Sequence, residues 1–290
     1  MIAAQASRTA LRVAQHRAAH QLLDGPPFFV DPLALRILGP QAEAAFRAAP
    51  ADYDRTRFAP QMRGFMAARA RFAEEQIAAA RAMGVRQVVI LGAGLDTYAY
   101  RSPPSPAVTI FEVDHPATQA WKRELLAAAG IRIPRHLTFV AADLALESLA
   151  QALSSAGFVP EAGAVFSWLG VTQYLTPENV LRTLDYVATA CAKGGGIAFD
   201  YALSPELLPP EERAAYEALA ARVRAVGEPW QSHFAPTDLV TELSARGFAV
   251  ALDLDPQTLL ERFAADAAAR PRLGRLARLF WAGAEAYAAG

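Results

Sequence analysis

VVILGAGLDT, Val88 to Thr97, is the stretch that decides how this chain is read. With Gln87 ahead of it, the run to Leu91 is short, apolar and rich in β-branched residues, as in a strand buried on both faces. It breaks at Gly92-Ala93-Gly94. Glycine at both outer positions lets the backbone turn tightly and come close to a ligand with no side chain in the way. A G-x-G turn alone is common, so its surroundings carry the argument. The next strand-like run is VTIFEV, Val108 to Val113, and Asp114 follows it, twenty residues beyond Gly94. That spacing suits a carboxylate that accepts hydrogen bonds from ribose hydroxyls. Glu112 lies on the same strand face and is the rival for the role; Asp114 is also placed to cap a helix opening at Pro116.

Outward from this unit the pattern repeats. LTFVAA from Leu137 leads to Asp143, AVFSW spans Ala164 to Trp168, and GIAFDY closes the series at Tyr201. A helical stretch follows each of the five runs, with one from about Leu146 to Ala156 and another opening at Thr176-Pro177, a cap residue and a first-turn proline. Five short strands alternating with helices predict a parallel sheet covered on both faces. Upstream, Met62, Phe65, Met66, Ala70, Phe72 and Ile77 recur at helical spacing and predict a helix from about Gln61 to Met83, ended by Gly84. Downstream, residues 204 to about 228 form a Pro- and Glu-rich helical insertion over the sheet's carboxyl edge. A helix at 236–246, a strand at 247–254 and a last strand near ARLFWAGA complete the chain, the two strands forming an antiparallel edge. The expected class is α/β: a doubly wound, mostly parallel, seven-stranded sheet. Residues 1–84 would be a helical segment packed on a core of 85–290, with the insertion at about 204–235.

Composition narrows the function. Of 290 residues, 53% are hydrophobic and 20% charged, enough for a sizeable core, which excludes a disordered or fibrous chain. A net charge of -1 gives no field toward nucleic acid or an anionic membrane. The arginines at 270, 272, 275 and 278 lack interleaved aromatics and predict a solvated face. No apolar run approaches the roughly 20 residues of a membrane span. Arg8, Arg12 and Arg17 interrupt any signal-peptide core, leaving an ordinary first helix. Cys191 is the single cysteine and cannot form an internal disulfide; with no His/Cys grouping at metal-ligand spacing, a cytoplasmic protein without a metal is expected.

The residues after the glycines bear on the ligand. Leu95 and Asp96 stand where a dinucleotide site needs a helix start open to a pyrophosphate, and the carboxylate of Asp96 would repel one. A cationic sulfonium such as S-adenosylmethionine has no phosphate and tolerates nearby acids. Asp143-Leu144 at the end of the third strand can accept from an adenine amino group and pack on its ring, although Asp143 also suits a helix cap.

RTALRVAQHRAAH, FVDPLALRIL, MAARARF, VVILGAGLDTYAYR, FEVDHP, FVAADL and SWLGVTQYLTPENV occur in an order that resembles the leucine carboxyl methyltransferase-like proteins, and the late GEPW (Gly227 to Trp230) is similar too. These are class I S-adenosylmethionine-dependent methyltransferases with a Rossmann-like fold, and the likeness covers roughly residues 7 to 284. It implies S-adenosyl-L-methionine as cofactor. Arg69 matches the family's carboxylate-binding arginine best, with Arg71 close by. Gly92, Ala93 and Gly94 take the glycine-loop role, Asp114 the ribose, Asp143 and Leu144 the adenine, and Trp168 joins the cofactor set at the end of the fourth strand. One departure matters: the glutamate that phosphatase-directed members place near the cofactor's amino group corresponds to Leu169. The reaction type is therefore carried over but the acceptor is not, and a carboxyl or hydroxyl oxygen of a small molecule is expected. Candidates beside the acceptor are Tyr174, Tyr201, Trp230 and His233, of which His233 is the one able to act as a base. His115 would shape the loop and Cys191 would pack in its helix. The competing readings are a nicotinamide-dependent oxidoreductase and a non-catalytic cofactor-binding protein.

Overall fold

The computed structural model describes residues 7–55, 59–103, 107–225, 227, 229–263 and 276–284. Apolar runs become one seven-stranded sheet of order β3-β2-β1-β4-β5-β7-β6. At its centre β1 (Gln87–Leu91) is buried along its length. It pairs in parallel with β2 (Thr109–Asp114) on one side and β4 (Ala164–Trp168) on the other. Next to β2 runs β3 (Leu137–Ala141), and next to β4 runs β5 (Gly195–Ala202), both parallel. β7 (Ala277–Gly283) follows β5 and is antiparallel both to it and to the edge strand β6 (Val250–Leu254). Chain progression thus leaves β1 in one direction and resumes at β4 in the other. The crevice at the carboxyl ends of those two strands is where open α/β sheets bind ligands.

Side-chain alternation divides the core. Val89, Leu91, Phe111, Phe166 and Phe199 pack beneath α6 (Leu149–Ser155), α7 (Pro177–Cys191) and α9 (Pro236–Ala245). Val88, Ile90, Ile110, Val165 and Ala198 face the other way, onto Phe65, Phe72 and Ile77 of α3 (Ala59–Ala82), with α10 (Pro256–Phe263) on the same layer. Small alanines of α1 (Arg8–Leu23), Ala14, Ala18 and Ala19, join Phe46 of α2 (Pro40–Ala48) and Leu126 of α5 (Pro116–Ala128) in a third cluster. The inserted α8 (Pro210–Ala225) buries Tyr216 against Leu203 and Leu208.

Two expectations change. The helix after β1 is only α4 (Tyr98–Arg101), because Ser102 precedes Pro103 and is driven to an extended ψ of 135°. The helix after β3 starts at Leu149 rather than Leu146, where Ser148 caps it by accepting from the Gln151 amide. Of the late arginines, Arg270, Arg272 and Arg275 lie outside the described residues, and Arg278 pairs with Asp253 at 2.9 Å. Cys191 is buried, which pushes its thiol pKa up. Among the described residues no helix is long and apolar enough to cross a membrane, and no three His, Cys, Asp or Glu are grouped to hold a metal ion.

Two stability outcomes follow from this packing. At Gly195 φ is +115°, and a Cβ would sit 1.8 Å from the Ala164 carbonyl oxygen of the neighbouring strand. Gly195→Ala is expected to lower unfolding free energy by about 2–4 kcal/mol in urea titrations; an unchanged midpoint would contradict the strand register. His16 on α1 is buried beside Arg12, Arg63 and Arg69, and burial with those cations brings its pKa from 6.5 down to about 3. Between those values the unfolded chain binds a proton there that the folded chain does not. Stability therefore falls as pH drops from 6.5 toward 3, by up to about 1.4 kcal/mol per unit. His16→Gln should flatten that slope in denaturation measured across the window, and an identical slope would remove His16 as its source.

Candidate functional site

A cavity of about 270 Å³ opens at the carboxyl ends of β1 to β4, near the lower end of the range for small-molecule pockets. Its floor is the turn after β1. Gly92 and Gly94 have φ of +63° and +45°, and the Gly92 and Ala93 amides both donate to the Val113 carbonyl. A Cβ on Gly92 would lie 2.2 Å from a methyl of Val171, so the turn tolerates no side chain there. Gly94 turns its amide toward β2, where Asp114 Oδ2 accepts it; Asp114 Oδ1 accepts from the His115 amide at 2.7 Å. Two backbone donors thus fix the carboxylate at the cavity wall. Burial raises its pKa, while those amides pull the other way.

The open alternatives separate by geometry. Glu112 is sealed beneath the sheet edge, accepting from Lys122 Nζ at 2.8 Å and from the Tyr100 hydroxyl at 3.1 Å, and lies off the cavity. The cap of α5 is His115, whose Nδ1 accepts from the Ala117 amide, so Asp114 is left facing the cavity. Asp143 accepts from the Ala145 amide at 2.9 Å in a local turn, does not cap α6, and lines the cavity with Leu144. Arg69 and Arg71 stand two residues apart on α3, hence on opposed faces. Arg69 is buried at the cavity with Nη1 donating to Asp200 Oδ2; Arg71 points away, to the Phe28 carbonyl and Glu75.

Four candidates fall elsewhere. Trp168 is wholly buried in the core, since strand alternation sends its indole opposite to Ser167 and Leu169, which do line the cavity. Tyr201 shares that core face, and its hydroxyl donates to Asp253 at 3.0 Å; burial and that carboxylate raise its pKa. His233 is exposed and off the cavity, because its neighbour Ser232 turns inward to donate to the Thr172 carbonyl. Tyr174 is at the cavity, with Pro229 and Gln231 from the segment after α8, whereas Trp230 packs on Tyr216 with ring centres 5.2 Å apart.

Two charged residues were missed. Arg17 of α1 reaches the cavity roof, donating to the Leu95 carbonyl at 2.6 Å and pairing with Asp96 at 3.4 Å, while its buried Nε has no partner. The signal was its place on the Ala10-Ala14-Arg17 face of a small-residue helix, a position that is otherwise apolar. Asp200 on β5 had no signal beyond being an acid inside a buried strand. The set fits an adenosyl sulfonium amino acid: side-chain-free backbone at the turn, an anchored carboxylate, an acid beside a leucine, and buried guanidinium groups. It does not fit a pyrophosphate, because a helix of four residues supplies no focused N-terminal dipole.

Residues 10–188 match the family model described as leucine carboxyl methyltransferase. Over 197 residues the chain is 33% identical to the Bacillus subtilis protein named "Putative S-adenosyl-L-methionine-dependent methyltransferase YktD", covering 68% of this chain and 64% of that protein. A protein of the same description from Mycolicibacterium gilvum is 35% identical over 168 residues, 58% of this chain and 52% of the relative. The chain therefore matches between half and two thirds of these relatives' lengths. In fold it is similar to a DUF574 family protein from Streptomyces avermitilis, with a TM-score of 0.56, 16% identity and coverage of 98% of this chain and 100% of that one. It is also similar to a Thermobifida fusca structure, a "putative methyltransferase", with a TM-score of 0.52, 18% identity and coverage of 93% and 94%. The cavity's floor, its Asp114 wall and both arginines of its roof fall inside the matched stretch, and the chain belongs to the leucine carboxyl methyltransferase family.

Proposed function

We propose that this chain is an S-adenosylmethionine-dependent O-methyltransferase whose acceptor is a carboxyl or hydroxyl oxygen of a small metabolite. The observation that carries the donor half is the Asp114 carboxylate, fixed by the Gly94 amide at the edge of a side-chain-free turn. Its free lone pairs suit the ribose hydroxyls. Asp143 accepts from the adenine amino group and Leu144 packs on the ring. Arg69 pairs with the donor's carboxylate, a task for which a guanidinium fork is suited. The names of the relatives support the same donor.

The bound donor supplies a methyl group already activated by positive sulfur. The chain's own work is alignment and exclusion of water. Ala10, Val13 and Ala14 of α1 roof the cavity with small apolar side chains, and Leu169, Tyr174 and Gln231 border the end toward the insertion. Among the described lining residues the one histidine is His115, whose Nδ1 is occupied at the α5 cap. A carboxylate acceptor is ionised at neutral pH and requires no base, so this lining favours it over a hydroxyl.

Calorimetric titration with S-adenosylhomocysteine, NADH and NADPH tests the donor; the first should bind and the other two should not, and the reverse would move the chain to hydride transfer. Asp114→Ala should weaken S-adenosylhomocysteine by about 1–3 kcal/mol, through hydroxyls left unpaired. Because the carboxyl pKa of Asp114 is raised, affinity should decline as pH falls through that raised value and one carboxylate oxygen turns from acceptor to donor. A screen of carboxylic acids and phenols with methyl-labelled donor tests the acceptor. In that screen His233→Ala should leave the rate within about twofold, as its exposed position requires; a hundredfold loss would restore it as a base.

A further inference from the structure

Asp200 does not line the cavity, yet it holds the residue that does. It sits on β5, registered opposite Leu279 of β7, and its side chain points to the α3 layer, opposite to Phe199 and Tyr201. Its two carboxylate oxygens have different tasks. Oδ2 accepts from Arg69 Nη1, and Oδ1 accepts from the Gly170 amide in the turn after β4. Both Arg69 and Asp200 are about nineteen-twentieths buried. The guanidinium lies against Gly170: a Cβ there would come 2.9 Å from Nη2 and 3.2 Å from Nη1, and φ is +73°. Glycine at 170 is therefore the space in which the guanidinium rests. The backbone of Asp200 adds a third tie, its carbonyl accepting from the Thr172 hydroxyl at 2.7 Å, so the turn is gripped at two places by one residue.

We propose that Asp200 is a positioning residue for the donor: by pinning Arg69 against Gly170 it presents the remaining guanidinium donors to the donor's carboxylate, without touching the donor itself. This rests on the donor reading above. A long arginine side chain has wide rotamer freedom, and one partner on its far side removes that freedom before the ligand arrives. The pairing also offsets the burial of an isolated cation, which would otherwise be strongly unfavourable. A second carboxylate can then join, since a guanidinium has more N–H donors than Asp200 occupies. Leu169 offers no carboxylate beside this cation, so the acid that fixes the charge comes from the adjacent strand instead.

The test compares two ligands on the full chain by calorimetry: S-adenosylhomocysteine, and 5′-methylthioadenosine, which keeps the nucleoside and sulfur but has no carboxylate. Asp200→Asn should weaken the first by about 10- to 100-fold and leave the second within about twofold. Arg69→Met should show the same selective loss, and adding Asp200→Asn to Arg69→Met should cost nothing more. Equal weakening of both ligands by Asp200→Asn would mean a general structural role and overturn the proposal. So would a selective loss that persists in the Arg69→Met background, which would place Asp200 in direct contact with the ligand. If Asp200→Asn does not fold, the double variant, which leaves no buried charge unpaired, is compared with Arg69→Met alone, and a further loss of preference for S-adenosylhomocysteine in the double variant overturns the proposal. A wild-type chain that binds neither ligand would instead remove the donor reading, a separate result.

Discussion

The cavity depends on one exchange of hydrogen bonds: the backbone leaving β1 has no strand partner for the Gly94 amide, and the Asp114 carboxylate supplies it. Three backbone amides after β1, those of Gly92, Ala93 and Gly94, are all directed at the end of β2. That convergence holds the turn open and leaves the far side of Asp114 facing the cavity. It also explains why both glycines are needed. Each has positive φ, and at Gly92 any side chain would collide with Val171 of the turn after β4. The turns after β1 and β4 lie so close because those strands are neighbours, Val89 beside Phe166, although 77 residues separate them in the chain. Topology, local conformation and ligand chemistry meet at this point.

Around the turn, buried charges come in pairs, and the pairs differ in what they do. Lys122 and Glu112 are both almost inaccessible and lie off the cavity. A pair of this kind adds little net stability, because desolvation of both ions offsets their attraction; its effect is to fix where each side chain can go. Arg17–Asp96 and Arg69–Asp200 obey the same physics, but each contributes an arginine to the cavity wall. In both, a carboxylate on the sheet side restrains an arginine that comes from a helix on the outside. Arg17 and Arg69 thus share the cavity wall with the carboxylates of Asp96, Asp114 and Asp143, and the acid that fixes each arginine sits behind or beside it. His16, a neighbour of Arg12, Arg63 and Arg69, has its pKa depressed first by burial and then by those cations.

The strands and the glycine turn were legible because periodicity and glycine placement are local signals: a buried strand and a positive-φ turn each need particular residues at consecutive positions. Asp114 was legible for the same reason, being tied to Gly94 by the geometry of adjacent parallel strands. Sequence alone left Glu112 beside it, since period-two alternation puts both on one face; depth along the strand, which alternation does not encode, separates them. Trp168 fails by the converse effect, one step of alternation from Ser167 and Leu169. Tyr201 and His233 were judged from their nearness in sequence to the sheet's carboxyl edge, and orientation decided against both. Arg17 and Asp200 could not be assigned from sequence because their partners are 78 and 131 residues away.

The family match ends at residue 188, inside α7, while the cavity continues past it to Pro229 and Gln231. The glycine turn, Asp114 and both cavity arginines lie in the matched stretch, and the cavity's far end is bordered by the covering segment after α8, near which Tyr216 packs against Leu203, Leu208 and Trp230. Backbone and side chains both attach this cover to the sheet: the Gln231 amide donates to the Gln173 carbonyl and the Phe234 amide to the Ala202 carbonyl, while the Ser232 hydroxyl donates to the Thr172 carbonyl and the Phe234 ring packs on Tyr201. The same turn, residues 170–174, seats the cover on one side and Arg69 on the other.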